Sequence, residues 1–532
     1  MSKIKLNKDI HHVGLALDGR AGYNNQAPFH PHLRYPECRC DETSESGGAD
    51  AFALVREALF QLGLDRARYG TPDWNPLGEI ISPGDSVALK PNWVLDTHPR
   101  GLDIFSVITH PSLIRAALDY TLLALDGEGE VTVCDAPQAD CNFERVFEIS
   151  QLSALKSHYE EHAGTYGGII PKFIDLRKIA YLVDDDGYLK DNSRITLAGD
   201  PNGYFKVNLG SESLLYHLEN LENLYGADYD RNFTSEHHSG ERQEYLVSGT
   251  ILKADVVISL PKMKSHKKTG VTLNLKNLVG INGDKNYLAH FRVGASDAGG
   301  DEYPARMDGK QKLILKSQRA LIDKLLVKPN KFSVGLFNLI SAGYRLLRRA
   351  SKMDLTPAIR LGDWSGNDTA WRMVIDLNRI LFLADEKGVM RETPQRGYFS
   401  IVDGIIAGEG DGPLDPDPRT AGIVLAGHSP IPVDLAAMTL MGFDYRKLRL
   451  YDYIVGDKQR VVEAPYAVND PGRIRVSYLS ETYSLDRLLT QIEPLNFRPH
   501  YGWRGKIESQ AHQEYQTHTE SACQNQESPV IR

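Results

Sequence analysis

The chain has 532 residues, 25% of them charged and 41% hydrophobic, with a formal net charge of −9. These values describe a globular protein of two to four domains, or one elaborated α/β domain, and the acidic balance argues against general nucleic-acid binding. No apolar run reaches the roughly 18 residues that span a bilayer, and the start, MSKIKLNKDIHHVG, lacks the apolar core and cleavage site of a signal peptide, so a cytoplasmic location is expected. Cys38, Cys40, Cys134, Cys141 and Cys523 form no CxxC pair; reduced, structural thiols are expected, with no disulfide framework and no zinc or iron–sulfur motif.

Residues 1–82 read as an N-terminal strand and loop region leading into a core that opens at 83–156. There the strand from Ser86 to Leu89 leads to Lys90, Pro91 and Asn92. Pro111 opens a helix with Ile114, Ala117, Leu118 and Leu122 on one face, and the strand from Val131 to Val133 ends at Cys134 and Asp135. Residues 157–247, rich in Asp, Asn, Gly and Tyr, read as an insertion carrying a β-hairpin over one sheet edge. Within it DDDG at 184–187 reads as a hairpin turn, and His237 with His238 as an exposed charged loop.

The core resumes at 248–300, gives way to a basic helical insertion at 301–375, and finishes at 376–445. Strands are expected from Val256 to Leu260, from Tyr398 to Val402 and from Ile423 to Ala426, and a last helix from near Asp434. A C-terminal extension at 446–506 and a disordered tail at 507–532 follow. Short apolar strands that end in polar residues and turn into helical patterns predict an α/β fold, a mainly parallel sheet with helices on both faces plus inserted α+β segments.

The stretch from Ala254 to Lys285, ADVVISLPKMKSHKKTGVTLNLKNLVGINGDK, carries the strongest functional signal. An apolar strand runs into a loop crowded with Lys262, Lys264, His266, Lys267, Lys268, Lys276 and Lys285, among hydroxyls and amides. In VTLNLKNLVGI, Thr272, Asn274 and Lys276 alternate with apolar residues, so one face of a strand is polar and the other apolar. Ligands of open α/β sheets lie beyond the carboxyl ends of the strands, where Lys90, Asn92, Asp135, Lys262, Lys264, His266, Asp403 and Glu409 are expected to converge. For Asp135 a helix cap and a ligand contact stand as equal alternatives. Asp403 opens a glycine-rich loop that also holds Glu409, and a divalent cation is a minority reading for these acids.

Two functions fit this pattern. One is an enzyme acting on a phosphorylated or carboxylated small molecule. Lys90, Asn92, Lys262, Lys264, Thr272, Lys276 and Asn277 would bind that anion, while His266 with Asp135 or Asp403 moves protons. The other is a non-catalytic anion-binding or assembly protein recruited to a membrane surface or a protein partner by residues 310–352, which hold eleven Lys or Arg against the single acid Asp323. Within them Phe332, Leu336, Leu339 and Ile340 recur at helical spacing ahead of Arg345, Arg348 and Arg349; a packed helix pair with basic stems reaching outward is the favoured account of that segment. Farther on, Asn367 to Thr369 reads as a helix start, with Trp371 and Arg372 as a second candidate ligand wall.

VALKPNWV, THPSLIRAAL, LPKMKSHKKTGVTLNLKNLVGI, VDGIIAGEGDGPLDP and PVDLAA together resemble the DUF362 family, over roughly Pro83 to Phe443. NDTAWRMVIDLN adds a resemblance to a long subgroup of that family. The resemblance implies an α/β domain of unassigned function. Some members carry ferredoxin-like cysteine motifs, which imply redox chemistry, and this chain has none of those cysteines. Where the family pattern reads GxDPVAVD, this chain reads GHSPIPVD, with Ser429 in place of the first acid and Asp434 matching the second. Asp434 therefore joins Asp403 and Glu409 as a candidate metal ligand, with the paired-acid role weakened.

Overall fold

The computed structural model describes residues 9–44, 50–183, 189–228, 230–307, 309–325, 332–333, 335–336, 339–340, 361–455 and 470–510. Its centre is a sheet of eleven strands: β1 (His12–Leu17), β2 (Ser86–Pro91), β3 (Glu130–Asp135), β4 (Lys172–Asp175), β5 (Val256–Leu260), β6 (Lys262–His266), β7 (Gly270–Thr272), β8 (Gly397–Asp411), β9 (Asp415–Gly427), β10 (Arg475–Tyr478) and β11 (Glu481–Ser484). The order is β11-β10-β1-β9-β8-β5-β2-β3-β4, with β6 paired to β8 and β7. The run β8-β5-β2-β3-β4 is parallel, while β9 lies antiparallel between β8 and β1.

Both faces of this sheet are covered, so its central strands are apolar throughout rather than alternating. In β2, Val87 and Leu89 enter one buried cluster and Ala88 the other; in β5, Val256 and Ile258 oppose Val257 in the same way. On the first face pack α1 (Ala51–Gln61) and α2 (Pro111–Leu125); α3 (Leu152–Glu161) joins them farther along. The His110 ring nitrogen accepts the Ser112 N–H at 3.0 Å and Pro111 fills the first helical position, which starts α2 cleanly. The second face carries the short α4 (Asn274–Asn277), α5 (Ala370–Leu383) and α6 (Pro430–Met441).

Several local readings of the sequence change. The segment 271–276 is not one alternating strand: β7 stops at Thr272 and α4 begins at Asn274, because the carboxylate of Asp434 collects the N–H groups of Asn274 and Leu275 at 2.8 and 3.1 Å. Asp434 lies inside α6, which starts earlier, at Pro430. The glycine-rich stretch after Asp403 is the second half of β8, paired with β9 as far as Asp411 opposite Asp415. Lys172–Asp175, expected in the inserted cover, is an edge strand of the main sheet.

His237 and His238 are buried rather than exposed, because His238 sits between the Tyr287 carbonyl at 2.7 Å and the Gln243 side chain at 3.2 Å. The expected tail starts later than 507: Ile507 and Glu508 are buried, and the Ile507 carbonyl accepts the Asp444 N–H at 2.8 Å. The turn at 184–187, Arg345, Arg348, Arg349 and residues 511–532 lie outside the described residues. Of the basic insertion, Gly309–Leu325 is helical, and Phe332 and Leu339 are exposed. Among the described residues no helix is long and apolar enough to cross a membrane.

Candidate functional site

Beyond the carboxyl ends of β2, β3 and β5 lies a cavity of about 280 Å³. Its wall is the segment that follows β5. Pro261 ends β5, β6 runs on to His266, and Gly270, with φ +83°, turns the chain into β7. Lys264, His266, Lys267, Lys268, Thr272, Lys276, Asn277, Gly280 and Lys285 all border the cavity, opposite Asn92, Asp135 and Asp228.

Lys262 and Lys264 sit at the same parity of one strand and are expected to point together. They do not, because the pairing of β6 with β8 jumps from Lys262 opposite Asp403 to Lys264 opposite Gly408, an irregularity that re-aims the side chains. Lys262 is sealed into a separate cluster. Its ammonium meets the Asp403 carboxylate at 2.6 Å and the Tyr23 hydroxyl at 2.9 Å, while Asp403 also accepts from the Tyr23 hydroxyl at 2.5 Å and the His110 N–H at 2.9 Å. Both side chains are fully buried and neither borders the cavity.

Lys90, expected to bind the anion, does not border the cavity but lies behind Asp135, Asn277 and Gly280, which do. Its ammonium holds the Asp135 carboxylate at 2.8 Å and donates to Asn277 Oδ1 at 3.1 Å, and the Asn277 amide returns a bond to the Lys90 carbonyl at 3.0 Å. Asp135 also accepts the Trp93 N–H at 2.7 Å, so it bridges two strand ends and caps no helix. Gly280 presses on this pair so closely that a Cβ there would stand 1.9 Å from Asp135 Oδ1 and 2.6 Å from Lys90 Nζ.

The remaining amines divide by partner. Lys267 and Lys268 share Asp363, at 3.4 and 2.8 Å. Lys264 donates to the Val107 carbonyl at 2.5 Å and Lys285 to the Ala136 carbonyl at 2.7 Å, and the ammonium of Lys276 has no hydrogen-bond or carboxylate partner among the described residues. Burial, compounded by Lys285, Lys268 and Lys90, pushes the Lys276 amine down to about 7. Burial likewise takes Lys285 down to about 8, against the pull of Asp135, and drives Lys264 well below the usual amine range. Asn92 Oδ1 and Thr272 Oγ1 are buried without a hydrogen-bond partner.

His266 accepts the Lys268 and Thr269 N–H groups on Nδ1, at 3.0 and 3.2 Å, which leaves its proton on Nε2. Burial and the surrounding lysines hold it, and His290 across the cavity, well below the usual histidine range. The candidate metal ligands stand apart. Asp403 is closed off by Lys262, Glu409 is paired with Arg419 and Arg498 at 2.9 Å each, and Asp434 accepts from Asn274, Leu275 and the Tyr451 hydroxyl. Trp371 and Arg372 do not border the cavity; the Asn367 side chain caps α5 through the N–H groups of Thr369 and Ala370. Sequence reasoning missed His290 and Asp228, which only chain folding brings to the cavity.

The family model described as "Domain of unknown function (DUF362)" matches residues 176–439, starting later than the motifs near Lys90. No curated protein matches the chain. A crystal structure of a Thermotoga maritima protein from a structural genomics consortium is similar at 12% identity with a TM-score of 0.29. The match covers 70% of this chain and 55% of that one.

Proposed function

We propose that this chain, a member of the DUF362 family through residues 176–439, is an enzyme that binds a phosphorylated or carboxylated small molecule in the lysine-lined cavity and moves a proton on it through Lys276. The observation that carries this reading is the charge imbalance of the cavity wall. Lys264, Lys276 and Lys285 gather there without an ion-paired carboxylate among the described residues, and unpaired buried ammonium groups are costly. An anion supplies the missing charge and gives the Lys276 ammonium its partner.

The unpartnered Asn92 Oδ1 and Thr272 Oγ1 offer an acceptor and a hydroxyl for fixing the orientation of such a ligand. An amine brought down to about 7 exchanges protons near neutrality, as a general acid or base must. His266, neutral and with its proton on Nε2, serves as a hydrogen-bond donor to the anion. Asp135 and Asp403, each held by a lysine and a backbone N–H, act as supports for the site. We also assign the protein to the cytoplasm, a setting that suits the unpaired Cys38, Cys40, Cys134 and Cys141.

Native mass spectrometry of the purified chain tests the proposal, paired with thermal melting in phosphate, pyrophosphate and citrate. A co-purifying anion, or a higher melting temperature in one of these ions that Lys276→Met abolishes, supports it. A bare mass together with no response to any of the three anions contradicts it.

A further inference from the structure

On the first face of the sheet, far along the chain from the lysine cavity, the segment after Phe29 crosses the C-terminal end of α3. It brings together His30, Cys40 and Glu42, and next to them His158 and His162. The donor atoms of the first three lie within 4.8 Å of one another, as do those of Glu42, His158 and His162, so Glu42 belongs to both triads. The His30 and His158 rings are 5.3 Å apart between centroids, and those of His158 and His162 are 4.4 Å apart. None of these residues takes part in the function proposed above.

We propose that this cluster forms a site for one transition-metal ion of the Zn²⁺ class, which takes four of the five side chains as ligands and clips the N-terminal segment to α3. The first argument is the donor set. Imidazole nitrogens, a thiolate and one carboxylate are the ligands Zn²⁺ takes, and each triad holds its donors within 4.8 Å with Glu42 common to both, so side-chain rotations bring four of them to one tetrahedral centre.

The second argument is orientation. His158 is 4% exposed, and its Nε2 is buried with no hydrogen-bond partner, an expensive arrangement that an ion relieves. His162 donates Nδ1–H to the His158 carbonyl at 2.9 Å, which leaves the lone pair on Nε2 available. His30 keeps Nδ1 buried and unpartnered while its Nε2 meets Glu42 at 2.9 Å.

The third argument is charge. Arg115, which borders the cluster, is neutralised by Asp119 at 2.9 Å, so Glu42 and the Cys40 thiolate are left to balance a dication. Binding takes the neutral imidazoles and the thiolate, so the thiol proton of Cys40 leaves to solvent as the ion enters. Glu42 is exposed and provides the way in. The chain just ahead of this segment carries Tyr23, whose hydroxyl bonds Asp403, so the clip also steadies the buried Lys262 pair.

Titration of the reduced full-length chain with Co²⁺ alone, followed by absorption, tests the assignment. One equivalent should bind with tetrahedral ligand-field bands and a thiolate charge-transfer band. Cys40→Ser should remove the charge-transfer band, His158→Gln should weaken binding by about tenfold or more, and the exposed His217→Gln should change neither. Zn²⁺ should raise the melting temperature of the parent chain by more than that of Cys40→Ser. Circular dichroism establishes that each variant is folded, and if His158→Gln is not, the Cys40→Ser spectrum decides. Failure of the folded parent to take up a stoichiometric ion, or an unchanged spectrum in Cys40→Ser, overturns the proposal.

Discussion

Lys276 carries its ammonium on a flexible stem into a wall already occupied by Lys264, Lys268 and Lys285, and no carboxylate answers it among the described residues. Lys90 and Lys262, equally buried, each have one within 2.8 Å. The two classes should respond to mutation in opposite ways. Lys276→Met removes an unpaired charge and should leave stability unchanged or slightly higher, while costing anion binding the about 1.5–3 kcal/mol of a charge-assisted bond, or roughly 10- to 100-fold in affinity. Lys90→Met strands Asp135 and should destabilise the fold by about 3–5 kcal/mol in urea denaturation. Urea curves for both variants, with anion affinity for the first, check the contrast.

The pH dependence has a definite sign. An anion favours the protonated amine, so the Lys276 value rises above about 7 on binding, and the affinity it supplies is complete below that pH and lost as pH climbs through the bound-state value. Affinity should therefore fall above neutrality in the parent chain, and this fall should shrink in Lys276→Met.

At the scale of elements, α4 delivers Lys276 and Asn277 to the cavity only because Asp434 of α6 receives its first N–H groups. Asp434→Ala leaves these and the Tyr451 hydroxyl unpaired, and should cost about 3 kcal/mol or more of stability. Gly280→Ala pushes a methyl into the Lys90–Asp135 pair and should cost about 1–3 kcal/mol by overpacking, measured by the same denaturation.

These contacts also explain what could be read in advance. The crowd of amines after β5 was legible because it is local and adjoins an apolar strand. The split between Lys262 and Lys264 was not, since it follows from an irregular pairing with β8, and the partner that closes Asp403, Tyr23, lies 380 residues away. A helix starting at Asn274 was hidden because the acid that caps it belongs to α6. Alternation of Thr272, Asn274 and Lys276 therefore read as a strand.

Over the whole molecule, the mainly parallel sheet with helices on both faces was the most legible feature, since β2, β3 and β5 are short apolar runs that end in polar residues. The histidine and cysteine cluster was the least legible: His30 and His158 share no motif, and only the packing of the N-terminal segment on α3 unites them. Ligand binding to the native state alone should stabilise the entire fold, by about 2.7 kcal/mol at a concentration 100 times Kd.

Isothermal titration calorimetry of the parent chain and Lys276→Met with inorganic pyrophosphate and with citrate, at pH 6.5 and again at pH 9, tests the central claim most directly. The cavity as described predicts binding of at least one anion at pH 6.5, weaker binding at pH 9, and loss of most of that difference in Lys276→Met. No binding of either anion at pH 6.5, or equal binding by parent and variant at both pH values, would contradict it.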